Sequence, residues 1–161
     1  MDQFIKTFTA SQVRGALIGC AVCSPLVSFL TNLRCHALTL PHAVTDGVLT
    51  LLIIAFAVSG GSSFVFRTGL KKNPWFRLED HPLGDAGGIL MELLPRSFAG
   101  IGAFFFIAGA ALFSLLLYLV YTLAGIETLS FGIFIVFKIV FPALLGAVTA
   151  RYAAMNNFRF R

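Results

Sequence analysis

The sequence predicts an all-α integral membrane protein whose four transmembrane helices form two helical hairpins, and three observations predict it. The first is composition: the 161 residues are 58% hydrophobic and only 12% charged, with a mean hydropathy of +0.89, far from the balance of a water-soluble domain. The second is a set of four runs without a charged residue in their first three members: Arg14 to Arg34, Asp46 to Arg67, Arg96 to Glu127, and Glu127 to Arg151, the last carrying Lys138. Each meets the roughly 20 residues that about 30 Å of hydrocarbon requires at 1.5 Å per residue. The third is that no run alternates with period two. Barrel strands are therefore excluded, and within lipid the backbone must satisfy its own hydrogen bonds as helix.

The chain length suits a single domain, with helices expected over 10–33, 44–66, 97–123 and 128–150 and a loop over 67–96. The first helix is expected to open near Thr9, because Thr9-x-x-Gln12 has the spacing of a capping box. Its apolar run is too long for the core of a signal peptide, and no small-residue cleavage site follows it. Leu17-Ile18-Gly19-Cys20 has the look of a lipoprotein cleavage box, but it follows Arg14 too closely and the apolar run continues past it, so the segment is read as a helix. The second helix is expected to follow Asp46, a carboxylate favoured at a helix start by the macrodipole. Arg14 and Asp46 are separated by nearly the same distance as Arg96 and Glu127, which any two hairpins crossing one bilayer would share.

Orientation follows from the cations. Lys6, Arg14, Arg67, Lys71, Lys72, Arg77, Arg96, Arg151, Arg159 and Arg161 flank one side, ten of the twelve Lys and Arg; Arg34 alone lies on the other, and Lys138 falls inside a span. The positive-inside rule then places both termini and the central loop in the cytoplasm, in a bacterial-type inner membrane. Within that loop Lys71, Lys72 and Arg77 surround Trp75 and Phe76, the mixture of cations and rings that anchors a segment at the headgroup level. Three clustered cations make too small a footprint for nucleic acid. Ile89 to Leu94 is apolar, too short to span and stopped by Pro95, and it is read as a short helix entered through Gly87-Gly88.

Small residues mark candidate packing faces, since helices in lipid associate through close backbone approach. They are Gly15, Gly19 and Cys23 in the first helix, Ala143, Gly146, Ala147 and Ala150 in the fourth, and Ser59 to Ser63 in the second. Motifs that carry chemistry are sparse. No nucleophile elbow, phosphate loop, zinc-protease helix or dinucleotide fingerprint occurs. Cys20-x-x-Cys23 would suit a membrane thiol oxidoreductase, but a second pair to relay electrons is missing and the thiols sit in apolar surroundings that disfavour thiolate. Cys35, His36, His42 and Asp46, with Glu127 at the other turn, lack a standard metal-ligand spacing. Glu79, Asp80, His81 and Asp85 read as solvated loop residues. No metal or cofactor is expected.

Lys138 is the exception in an otherwise apolar run. A central lysine costs about 2.5 to 3.5 kcal/mol on insertion scales, which the surrounding Leu, Ile, Val and Phe offset. Pro142 lies four residues on, so the carbonyl freed by the proline is that of Lys138 itself; Pro25 does the same in the first helix. Cys23, Ser24, Ser59 and Ser114 are expected at a similar depth. With Asp46 and Glu127 placed at the outer surface and Glu92 at the inner, no acid of the chain is within reach, and the expectation is a carboxylate supplied to Lys138 by another membrane subunit. The sequence thus points to a small non-enzymatic membrane protein, a subunit or accessory of a larger assembly of the secretion, conjugation, transport or immunity type. A small oligomeric transporter or channel with Lys138 in its pathway is the alternative, and the thiol oxidoreductase a weaker one.

Overall fold

The computed structural model describes residues 3–31, 37–70 and 88–159. The chain is an integral membrane protein, with four helices long and apolar enough to cross a bilayer. In chain order the elements are α1 (Gln3–Thr31), β1 (Ala37–Thr39), α2 (Leu40–Val65) continued by a π-helical turn (Phe66–Leu70), α3 (Gly88–Leu93), α4 (Phe98–Ala124), β2 (Thr128–Ser130) and α5 (Phe131–Asn156). The short helix expected from Ile89-Leu-Met-Glu-Leu-Leu94 is α3. Lys71, Lys72, Trp75, Phe76 and Arg77, the expected interface anchor, lie outside the described residues, as do Cys35, His36, Glu79, Asp80, His81 and Asp85.

The third span falls within a residue of the bounds expected, while α1, α2 and α5 are displaced from theirs. α1 starts at Gln3, well before Thr9, whose side chain is buried within the helix. The reason is packing. Ile5, Phe66 and Phe158 are buried together, with Phe4 and Phe8 against them, and the rings meet edge to face, Phe66 and Phe158 at 5.2 Å and Phe8 and Phe158 at 5.7 Å between centroids. Such aromatic contacts favour helix over a frayed end. α2 starts at Leu40, with a proline, Pro41, in its first turn, a position where the missing N–H costs nothing. Asp46 therefore lies inside α2. α5 runs past Arg151 to Asn156, since Ala153, Ala154 and Met155 are buried.

A two-stranded antiparallel ribbon, unexpected in an all-α chain, pairs β1 with β2 in the register Ala37 to Ser130, Leu38 to Leu129 and Thr39 to Thr128. It ties together the two connections at one end of the bundle and sets α2 and α5 off side by side. Leu38 and Leu129 point from it into a core of Leu51, Phe113, Leu117 and Phe134, and the Tyr121 hydroxyl donates to the Leu38 carbonyl at 2.6 Å. α4 reaches this end in a Schellman turn. Gly125 is left-handed at φ 61°, its N–H bonded to Thr122 O, while Ile126 N–H bonds Tyr121 O at 3.1 Å, so two of the last carbonyls are satisfied by the turn itself.

Helix packing crosses between the halves of the chain. α1 lies mainly along α5, and α4 along α2, while α2 and α5 touch each other at the centre. Gly47 makes the α2–α4 approach possible, since a Cβ there would overlap the Phe113 ring. At the end away from the ribbon, Met91 of α3 and Leu94 just after it pack with Ile101, Phe105, Ala153 and Met155. Asn156 Nδ2 there donates to Arg96 O at 2.8 Å and Arg159 Nη1 to Leu94 O at 3.0 Å.

Candidate functional site

The ribbon register sets the depth of the one buried ion pair among the described residues. Lys138 follows the start of α5 by seven residues and Asp46 the start of α2 by six, so both lie about 10 Å along their helices from the ribbon. Their side chains meet: Lys138 Nζ is 3.0 Å from Asp46 Oδ2, with Lys138 fully buried and the Asp46 side chain 12% exposed. Nζ also donates to the Asp46 carbonyl at 3.1 Å and to Thr50 Oγ1. An ammonium has three protons to give, and these three acceptors take them all.

The other partners complete the group. Ser28 of α1 donates to Asp46 Oδ2 at 2.6 Å, and Thr50 Oγ1 donates to Asp46 O at 2.9 Å. The Phe134 ring, one turn before Lys138, lies 5.7 Å from Nζ, within cation–π range. Phe113 of α4 closes over Gly47 next door. Three of the spanning helices, α1, α2 and α5, thus contribute to one buried polar cluster, in which the charges neutralise each other and every ammonium proton has an acceptor. That is the condition under which a buried pair is held rather than merely tolerated.

This corrects the expectation for Lys138: the carboxylate that meets it is Asp46 of the same chain. The error had two parts of opposite sign. Asp46 was set at the surface because a charge was read as a helix boundary, and Lys138 at mid-depth because α5 was started too early. Thr50 and Ser28 were missed altogether. The signal for the first was present, since Asp46 and Thr50 are i,i+4 on a helix whose start Pro41 marks. Nothing in the sequence brings Ser28 to the same point.

The remaining candidates are dispersed. Pro142 is buried within α5 and Pro25 half-buried in α1, both helices running on through them. Ser24 is buried with no partner for its Oγ, Ser59 donates to Phe56 O at 3.3 Å beside Gly102 of α4, Ser114 is half-buried, and Cys23 faces outward. Cys20 is buried against Gly146 of α5, and both thiols are free. His42 and Glu127 are exposed. Among the described residues no three His, Cys, Asp or Glu gather as a metal site would need. Comparison of the chain with protein-family models, with curated proteins and with solved structures found no match.

Proposed function

We propose that the protein is a non-enzymatic membrane subunit, an accessory that docks on another transmembrane protein in an assembly of the secretion, conjugation, transport or immunity type. The observation that carries this reading is the outer face of α1. Of the four spans α1 is the least covered by its own chain, 17% of its apolar window being buried against 33% for α2, and small residues on it face outward. Gly19 and Cys23 are exposed, and a Cβ at Gly19 would meet nothing within 4 Å. α5 takes the opposite face, burying Cys20, Ser24 and Ser28. Large apolar side chains gain little by leaving lipid, whereas small ones permit the close backbone contact on which helices in a bilayer associate. Exposed Leu112, Leu115 and Leu119 of α4 suit lipid; the Gly19–Cys23 face suits a helix.

In this reading both termini and the central loop are cytoplasmic, and the membrane is an inner membrane of bacterial type. Support comes from Lys6, Arg67, Arg96 and Arg159, which belong to the segments meeting at the end opposite the ribbon. The test is extraction from the native membrane in a mild detergent, comparing the natural chain with Gly19→Leu. A different polypeptide in fixed ratio with the natural chain, lost from a variant that accumulates normally, is the expected result. An unchanged partner profile, or self-association alone, would overturn the reading.

A further inference from the structure

α1 and α2 are consecutive spans yet touch only sparsely, and between them runs a groove of about 390 Å³ floored by Ala150 of α5. Its walls are built from small residues, Gly15 on α1 and, four residues apart, Ala57 and Gly61 on α2. All three are exposed, and a Cβ added at Gly15 or Gly61 would meet nothing within 4 Å. The α1 wall continues beyond the groove. At 3.6 residues per turn Gly15, Gly19 and Cys23 fall within about 80° of one another around the helix, so the groove and the outward Gly19–Cys23 face share one surface, about 12 Å long from Gly15 to Cys23. Gln12 and Ser62 supply polar groups to the lining, and none of the lining residues is charged. Ser62 is only 2% exposed, and its Oγ has no hydrogen-bond partner. A hydroxyl on a helix can bond the carbonyl one turn back, as Thr45 and Thr50 of the same helix do. The hydroxyl of Ser62 does not, and an unmet buried hydroxyl is costly.

We propose, in an inference that rests on the docking reading above, that this groove seats a transmembrane helix of the partner polypeptide. That helix carries small residues four apart against Gly15 and Gly61 and an uncharged polar side chain, Ser, Thr, Asn or Gln, at the depth of Ser62. The small walls decide in favour of a helix. An acyl chain packs on leucine as well as on glycine, whereas a helix gains from glycine and alanine because its backbone can then come close. Ser62 and Gln12 bond across such an interface in the way polar side chains join helices in lipid. The partner's polar group is uncharged, since an ion pressed against this lining would be buried without a counter-charge. Continuity with the Gly19–Cys23 face sets the path: the helix lies along the α1 stripe and enters the groove between Gly15 and Gly61.

The full chain, carrying a photo-crosslinking phenylalanine analogue at one position, is irradiated in growing cells, and each adduct is mapped by peptide sequencing. Val65 probes the groove, Val22 the neighbourhood of the Gly19–Cys23 face, and Leu115 the lipid-facing side of α4; all three are exposed. Val22 and Val65 are expected to join one apolar span of the co-purifying partner, a span with small residues four apart and an uncharged polar residue, and Leu115 to give no such adduct. Gly61→Leu fills the groove and abolishes co-purification without changing the unfolding midpoint of the isolated chain. Ser62→Ala lowers the partner recovered by about fivefold, the worth of one hydrogen bond between helices, while the midpoint is kept or raised because an unmet hydroxyl has been removed. This second variant decides the matter if the leucine variant does not accumulate. A partner adduct at Val22 with none at Val65 overturns the groove seat and leaves the docking reading standing; no partner adduct at either position overturns both. Adducts at Val65 with lipid alone or with a second copy of the chain, a partner span without the small and polar residues, or undiminished recovery by both variants overturn the proposal as well.

Discussion

At the scale of single residues, Lys138 shows how the energetics of a buried charge depend on what lies opposite. With Asp46, Thr50 and the Asp46 carbonyl taking its three protons, the lysine is part of the fold, and its removal leaves a carboxylate buried without its cation. Lys138→Met is therefore expected to destabilise the bundle by about 3–5 kcal/mol. Adding Asp46→Asn, which removes the stranded charge and keeps an acceptor for Ser28, should recover most of that loss. Reversible unfolding in mixed micelles, run as a double-mutant cycle, measures both. A single variant within about 1 kcal/mol of the natural chain would mean the pair does not hold the helices. The sequence made Lys138 conspicuous but hid its partner, because the residue that answers it is 92 positions away and the depth of each depends on a helix start.

At the scale of elements, the helices are exchanged between halves: α1 rests on α5 and α4 on α2, while the ribbon joins the two turns. Neither half can cover its own second helix, so each should require the other. Co-expression of residues 1–79 with 80–161, cut within the central loop, is expected to give a complex that purifies through a tag on either piece, while each piece alone is degraded or aggregates. Stable accumulation of a lone half would show the halves to be independent hairpins. The lengths and apolar character of the spans were legible because hydrocarbon thickness imposes them on any crossing helix. The exchange was not, since apolar faces packed against helix and against lipid carry the same residues.

For the whole molecule, the meeting of Ile5, Phe66 and Phe158, together with the bonds from Asn156 and Arg159 to Arg96 and Leu94, gathers the cation-rich segments at one end and the ribbon at the other. The proposed orientation, drawn from the positive-inside rule, makes that end the cytoplasmic one. In a cysteine-free background, a cysteine at Thr128 of the ribbon should react with an impermeant thiol reagent in intact cells, while one at Asn157 should react only after permeabilisation. Labelling of position 157 from outside would reverse the orientation.

What the sequence by itself determined is the solvent of this protein and the number of its crossings, because long charge-free runs have no other stable place and charge-poor composition cannot cover a water-soluble surface. Only the tertiary structure decided where α1, α2 and α5 begin, and with it the depth of Asp46 and Lys138. Pro41 and the β1–β2 ribbon start α2 and α5 level with each other, and a shift of a few residues along a helix moves a side chain by about 1.5 Å each. Whether a lysine in a membrane is an unmet charge or half of a closed pair turns on displacements of that size, which local composition does not encode and packing does.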